Sequence, residues 1–141
     1  MATPTLRFEI ASPDRLVLTD EVEELQVPGK TGYLGILPGH APMITEVAIG
    51  EIAYRKEEQT FYFAVACGYC EVLLDQVTVL AEKIERAEEI DRRRAQASLQ
   101  RAEKRLSSFQ ATNIDFLRAR TSLQRALIRI QVSHKTGLHG H

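Results

Sequence analysis

Basic side chains are concentrated in one short segment of the chain. Residues 88–105 read EEIDRRRAQASLQRAEKR, and six of these eighteen residues are Lys or Arg. At helical spacing, several polar and charged residues of this segment lie in one row: Asp91, Arg94, Ser98, Arg101 and Arg105. A second row follows later in the chain: Arg118, Ser122, Arg125 and Arg129. If the two helices close as a hairpin, guanidinium groups approach one another. Because like charges repel, such a hairpin favours an anion or a carboxylate between the rows.

Three interpretations of the basic rows are open: a solvated helix face, a nucleic-acid-binding face, or a site for a smaller anion. Arginine-rich helices do neutralise the phosphates of nucleic acids. However, tryptophan is absent, and no aromatic residue is interleaved with the arginines where bases could stack. A nucleic-acid-binding adaptor therefore remains only as the alternative function.

Residues able to perform catalysis or bind metal are scarce. The two cysteines, Cys67 and Cys70, form a C-x-x-C, but no second Cys/His pair completes a zinc site. We predict that Gly68 marks a hairpin turn and that the cysteines are small strand residues. The sequence offers no nucleophile with a base and no glycine-rich phosphate loop, so we expect no catalytic residue, no metal site and no required cofactor.

Strand patterns fill the first part of the 141-residue chain, of which 44% is hydrophobic. All five prolines lie at or before Pro42, and short strand-like runs follow one another. In the first run, LRFEI, the alternation places Leu6, Phe8 and Ile10 on one face. We predict an all-β amino-terminal sandwich of about ten antiparallel strands.

The hydrophobic period changes to 3.6 residues near Glu88, which predicts a carboxy-terminal α-helical hairpin. We expect its seam to contain Ala95, Leu99, Ala102 and Leu106 in the first helix, and Phe116, Ala119, Leu123, Leu127 and Ile130 in the second. Thr112 or Asn113 could cap the second helix. The predicted domains are residues 1–87, the sandwich, and residues 88–141, the hairpin with a disordered tail.

The two predicted domains differ in charge. Residues 1–87 contain 7 basic and 14 acidic side chains, whereas residues 88–141 contain 11 basic and 5 acidic ones. This asymmetry indicates modules with different neighbours. No apolar run approaches the roughly 20 residues of a membrane span, and MATPTLRFEI lacks a signal-peptide pattern. We therefore expect the chain to stay in the compartment where it is made.

Four sequence segments together resemble the epsilon subunit of the F-type rotary ATP synthase. They are GYLGILPGHAPMIT at residues 32–45, FAVACGYCEV, VTVLAE, and ERAEEIDRRRA before the helical hairpin. The resemblance extends from Leu6 to about Val132. It implies a non-catalytic central-stalk subunit, peripheral on the cytoplasmic side of the cell inner membrane, that couples proton flow to ATP synthesis and inhibits ATP hydrolysis through its helices.

The resemblance also implies partners and a docking loop. The partners are the gamma subunit and the c-ring, which the sandwich contacts, and the alpha and beta subunits. Part of the docking surface would come from the G-x-L-P-G-H-A-P segment: Tyr33, Leu37, Pro38, Gly39, His40 and Pro42.

Finally, the resemblance implies ATP as a regulatory ligand rather than a substrate. Some bacterial members bind ATP in the closed hairpin, and their I-D-x-x-R-A motif is present here. The implied ATP-binding residues are Glu85, Ile90, Asp91, Arg94, Ala95, Arg101, Arg125 and Arg129. In this arrangement the arginines would neutralise phosphates, while Glu85 and Asp91 would accept hydrogen bonds from adenine or ribose.

Overall fold

A computed structural model of the chain describes residues 3–107 and 113–135. Its strands occupy the first part of the chain and its helices the second. The strands are β1 Leu6–Ala11, β2 Leu16–Val22, β3 Glu24–Gly29, β4 Gly32–Ile36, β5 Met43–Val47, β6 Gly50–Lys56, β7 Gln59–Leu73 and β8 Gln76–Arg86. A 3-10 turn, Ala87–Glu89, leads into α1, Arg92–Leu106, and α2 is Asn113–Ser133. The predicted fold class, a β-sandwich followed by a two-helix hairpin, is confirmed.

The sheet folds back on itself to form the sandwich. Its strand order is β2-β1-β8-β7-β5-β3-β4, and β6 bridges β3 and β7. The long strand β7 makes this possible, since its first part pairs with β6 and its second part with β5. Alternate residues of β1, Leu6, Phe8 and Ile10, are fully buried in the core, as their spacing predicted.

The number and direction of the strands differ from the prediction. The described residues contain eight strands rather than about ten, partly because the runs on either side of Gly68 form one 15-residue strand, β7. The prediction that Gly68 marks a hairpin turn was wrong. Moreover, β1 pairs with β8 in parallel. This is possible because the intervening strands provide the long connection that a parallel pair requires.

Gly68 is needed for a close approach between two strands. A Cβ atom at this position would lie 1.8 Å from the carbonyl oxygen of Leu80 and 2.7 Å from the Cα atom of Ala81. The preceding residue, Cys67, has a φ of 58°, so the strand bends where it changes its neighbour from β6 to β5. The glycine therefore permits contact with the β8 backbone instead of reversing the chain.

The helical hairpin packs through small residues. The Asp91 side chain accepts a hydrogen bond from the Arg94 backbone amide at 3.2 Å and caps α1. Ala95 and Ala102 are buried on α1, as the seam prediction required, and Ala119 is buried on α2. Alanine side chains are small, so the two helices can approach closely. Because these side chains bury little apolar area, the hydrophobic effect stabilises the helix pair only weakly.

The face of α2 that is buried differs from the predicted seam. Phe116 and Leu127 are 46% and 48% exposed, whereas Ala126 and Val132 are buried. Val132 packs with Ala64, Ala87 and Ile90 at the sandwich. Packing against both α1 and the sandwich thus leaves Phe116 and Leu127 outside the buried face, whereas Leu123 and Ile130 of the predicted seam are half-buried. The proposed caps, Thr112 and the Asn113 side chain, and the tail from residue 136 lie outside the part that the structure describes.

Candidate functional site

A cavity of about 640 Å³ lies between the hairpin and the sandwich. Both basic rows contribute to its walls, because residues at helical spacing share one face. The polar groups from the helices are Arg94, Ser98, Arg101, Arg105, Ser122, Arg125 and Arg129. The sandwich contributes Asp14 and Arg15 from the β1–β2 turn, and Glu82, Lys83 and Glu85 from β8. The cavity therefore has more cationic than anionic groups.

One arginine of the cavity is neutralised within the chain. Arg129 donates to the Glu85 carboxylate through Nε, at 2.6 Å from Oε1, and through Nη2, at 3.1 Å from Oε2. The side chains are only 26% and 33% exposed. A bidentate pair of this kind has both charge attraction and fixed geometry. It ties the carboxy-terminal part of α2 to β8 and holds Glu85 in place.

The other arginines of the cavity are not neutralised in this way. Within residues 3–107 and 116–135, Arg94, Arg101, Arg105 and Arg125 form no ion pair. Arg101 donates from Nη2 to the Ser98 hydroxyl at 3.0 Å, which orients its guanidinium group. The Nε atom of Arg125 is buried and has no hydrogen-bond partner within the part of the chain that the structure describes. A buried donor without a partner is costly, so an acceptor placed here would be bound favourably.

These groups suit a ligand with several negative charges. Arginines from both helices can surround such a ligand, and each planar guanidinium can donate two hydrogen bonds to phosphate oxygens. Among the described residues, no cluster of His, Cys, Asp or Glu could hold a metal ion. The arginines can therefore bind an anionic ligand, and a ligand bound by arginines of both helices links the two helices.

Five of the eight residues predicted to bind ATP line the cavity: Glu85, Arg94, Arg101, Arg125 and Arg129. The other three do not. Ala95 is buried, Ile90 packs in the cluster around Val132, and Asp91 caps α1. In these positions they fix the start of α1 and thereby the location of Arg94.

Apart from Glu85, the charged sandwich residues of the cavity had no signal in the sequence. Arg15 and Lys83 reach it from the β1–β2 turn and β8. Neither shares a helical row with the other arginines, so only the packing of the hairpin on the sandwich brings them close. By contrast, Arg105 lies in the predicted row of α1 and could have been added to the ligand set from its spacing alone.

The predicted docking loop is divided between two places. Tyr33 belongs to β4, and its hydroxyl oxygen accepts a hydrogen bond from the Glu51 amide at 3.1 Å. The remaining residues, Leu37, Pro38, Gly39, His40 and Pro42, connect β4 to β5. Gly39 has a φ of 88°, and its amide donates to Asp75 Oδ1 at 2.7 Å, so this loop is fixed to the β7–β8 turn.

An exposed apolar row crosses the outer face of the sheet and was not predicted. The strand registers align Leu16 with Ala11, Ala11 with Leu80, and Leu80 with Tyr69. Leu16, Leu80 and Tyr69 are 60%, 54% and 59% exposed. A groove of about 520 Å³ that Tyr69 and Leu80 line continues this surface. Because such contiguous apolar surface commonly marks an interaction site, this row is the best candidate for protein docking on the sandwich.

The two thiols face different environments. Cys70 is buried in the core, and burial raises the pKa of its thiol to about 11. Cys67 is exposed, and neither cysteine forms a disulfide. The C-x-x-C does not bring two reactive thiols together, because its second member faces the inside of the sandwich.

This difference predicts selective labelling. At pH 8, iodoacetamide should add one group per chain, at Cys67, because alkylation requires an accessible thiolate. After unfolding in denaturant, a second group should add at Cys70. Intact-mass measurement checks both counts, and the variant Cys67→Ser should remain unlabelled while folded. Rapid double labelling of the folded chain would contradict the buried position of Cys70.

The fold and the site together define a protein in which a β-sandwich is joined to a two-helix hairpin with an arginine-lined cavity between them. Residues 5–87 match the family described as "ATP synthase, Delta/Epsilon chain, beta-sandwich domain", and residues 88–134 match its "long alpha-helix domain". The chain belongs to this family of ATP synthase epsilon chains.

Curated relatives cover most of the chain. It is 44% identical to the ATP synthase epsilon chain of Geotalea daltonii over 132 residues, which are 94% of this chain and 96% of the relative. It is 59% identical to that of Koribacter versatilis over 104 residues, 74% of this chain and 73% of the relative. These identities cover both the sandwich and the hairpin.

Solved structures share the fold. A chain of the Euglena gracilis mitochondrial ATP synthase, in a structure of OSCP, F1 and c-ring, superposes with a TM-score of 0.79 at 17% identity, covering 96% of this chain and 82% of that one. A chain of the Tetrahymena thermophila mitochondrial ATP synthase central stalk and c-ring gives 0.63 at 11% identity, covering 94% and 99%. In the described residues, no helix is long and apolar enough to cross a membrane.

Proposed function

We propose that this chain is a non-catalytic rotor subunit of the central stalk of a proton-translocating ATP synthase. It couples rotation to ATP synthesis through its sandwich and restrains ATP hydrolysis through its hairpin. The observation that carries this function is the match of both domains, in order, to ATP synthase epsilon chains. We infer from membership in this complex that the chain is a peripheral subunit at the cytoplasmic side of the cell inner membrane.

The sandwich docks on the gamma subunit and the c-ring. The apolar row of Leu16, Ala11, Leu80 and Tyr69 supports a protein contact, because burying half-exposed apolar side chains stabilises an interface. We assign this row to the gamma subunit. The loop from Leu37 to Pro42 is held rigid by the Gly39–Asp75 hydrogen bond, which suits it to a second contact in the stalk.

The hairpin carries the regulatory function. In the closed state, its arginines surround an ATP molecule that bridges α1 and α2, and the alanine-rich seam alone holds the helices weakly. When ATP falls, the unneutralised arginines favour opening, and the freed basic helices dock on the alpha and beta subunits. ATP is a signal in this scheme, and the arginines supply most of its charge neutralisation.

Replacing one leucine tests the docking surface. Leu80→Glu should weaken binding of the full chain to the purified gamma subunit by at least about tenfold, because a charge would be buried in an apolar contact. Leu117→Glu is the matched control, since Leu117 is a comparably exposed leucine on the hairpin, at 58% against 54%. Equal affinities of the two variants, measured by calorimetry, would refute the assignment of the row.

Co-purification tests the stalk assignment as a whole. A tagged chain recovered from native extract should bring gamma, alpha and beta subunits with it. Recovery of nucleic acid without any ATP synthase subunit would instead support the basic-helix adaptor. The family match favours the stalk, since the charge rows alone fit either function.

A further inference from the structure

The carboxy-terminal end of α2 is fastened to the sandwich at a point separate from the arginine cavity. Lys135 Nζ lies 3.5 Å from Glu51 Oε1, and Gln131 Nε2 donates to the same oxygen at 3.3 Å. The Lys135 ammonium also lies 4.7 Å from the centre of the Tyr62 ring. None of these residues lines the cavity. We call the contacts of Glu51 with Lys135 and Gln131 the Glu51 latch.

The latch is better shielded from water than most ion pairs on the surface of this chain. The Glu51 side chain is 13% exposed, and that of Lys135 is 30% exposed. The exposed pair of Lys30 and Glu46, by comparison, has values of 76% and 52%. Because solvent screens exposed pairs strongly, the Glu51 latch should stabilise the hairpin's position more than such a pair does.

The backbone of Glu51 is held by Tyr33. The Glu51 amide donates to the Tyr33 hydroxyl oxygen at 3.1 Å. There is no space for a side chain at the preceding residue, Gly50, since a Cβ atom there would lie 2.5 Å from the Pro28 Cβ atom and 3.0 Å from the Tyr33 hydroxyl oxygen. The start of β6 is thus fitted against Tyr33, and the position of the Glu51 carboxylate depends on it.

Tyr33 is also accessible from outside. Its side chain is 48% exposed, and it lies on the β3–β4 hairpin, which is anchored by the pairing of Pro28 with Tyr33 and Gly29 with Gly32. A protein that contacts this hairpin and displaces the Tyr33 side chain removes the bond from the Glu51 amide to its hydroxyl oxygen. Two residues, Tyr33 and Glu51, connect this surface to the end of α2.

We propose that the Glu51 latch is a ligand-independent device that holds the hairpin closed, and that Tyr33 makes its strength sensitive to protein contact at the β3–β4 hairpin. This inference rests on the proposed function in one respect, namely that opening of the hairpin regulates the complex. Release then requires loss of the ligand in the cavity, of the Glu85–Arg129 pair and of the latch at the end of α2. A change at the sandwich surface weakens the latch while the ligand is still bound.

Hydrogen exchange of the full chain without nucleotide measures the latch directly. Glu51→Gln should accelerate exchange of the amides of residues 128–133 about five- to tenfold, because the latch no longer opposes local opening. Lys135→Met, which keeps an apolar stem on Tyr62, should have a similar effect. Combining the two should add little to either alone, since they remove the same pair.

Two controls separate the latch from general destabilisation. Glu46→Gln, at the exposed pair with Lys30, should leave exchange of α2 unchanged. Amides of Phe8 and Val79 in the sandwich core should exchange at the wild-type rate in every variant. An unchanged rate at residues 128–133 in both Glu51→Gln and Lys135→Met would overturn the latch.

Tyr33→Phe tests the connection to the surface. It removes only the hydroxyl and should accelerate exchange of the same α2 amides about two- to threefold, through loss of one hydrogen bond. An unchanged rate would overturn the role of Tyr33. Failure of the proposed function gives a different result: ATP would protect no part of the wild-type hairpin, while Glu51→Gln would still accelerate its exchange.

Discussion

ATP should stabilise the full wild-type chain, and Arg125→Ala should abolish this stabilisation. A ligand that binds only the closed hairpin stabilises it by about 2.7 kcal/mol at a concentration 100 times its Kd. Arg125 is the sharpest position to test, because its buried Nε atom has no hydrogen-bond partner among the described residues. Without that guanidinium, the cavity loses a donor that is free to bind a phosphate oxygen of ATP.

Arg120→Ala is the matched control for this experiment. Arg120 is an exposed residue of the same helix that does not line the cavity, so its replacement causes the same change in charge and helix propensity. Thermal melts with and without millimolar ATP should show the shift in wild type and Arg120→Ala, and none in Arg125→Ala. An unshifted melt of the wild-type chain would exclude the nucleotide signal and leave the stalk assignment intact.

Arg94→Ala should also lose the ATP-dependent shift, since Arg94 has no ion pair among the described residues. Arg129→Ala is less informative. It leaves the Glu85 carboxylate without its bidentate partner and destabilises the closed hairpin before any ligand is added. The comparison of Arg125 with Arg129 therefore separates a ligand contact from a contact within the chain.

Gly68→Ala should destabilise the sandwich by at least about 3 kcal/mol, or prevent folding altogether, because the added atom overlaps main chain that cannot rotate away. The added Cβ would lie 1.8 Å from the Leu80 carbonyl oxygen, in the middle of the pairing of β7 with β8. Those two strands would have to separate. Denaturant unfolding of the full chain, followed by circular dichroism in the β region, measures the loss.

Gly35→Ala provides the comparison. Gly35 is also a strand glycine, in β4, but a Cβ there would meet nothing within 4 Å. The free energy of unfolding should change by less than about 1 kcal/mol. If both variants unfolded at the wild-type denaturant concentration, the close approach of β7 and β8 at Gly68 would be wrong.

The sequence by itself determined the fold class and most of the cavity. Alternation in LRFEI is sufficient to place Leu6, Phe8 and Ile10 in a core, since a strand directs alternate side chains to one face. Helical spacing likewise requires Arg94, Arg101 and Arg105 to share a side of α1. Such periodicities depend only on local geometry, and local geometry is encoded in neighbouring residues.

Only the tertiary structure decided how those elements meet. Gly68 is compatible with a turn or with a close approach, and the position of the β8 backbone selects the second. The second helix has two apolar faces, and the sandwich determines that Val132 is buried while Leu127 is exposed. The Glu85–Arg129 and Glu51–Lys135 pairs join distant parts of the chain. Sequence spacing carries no signal for such contacts, because they depend on the relative placement of two domains.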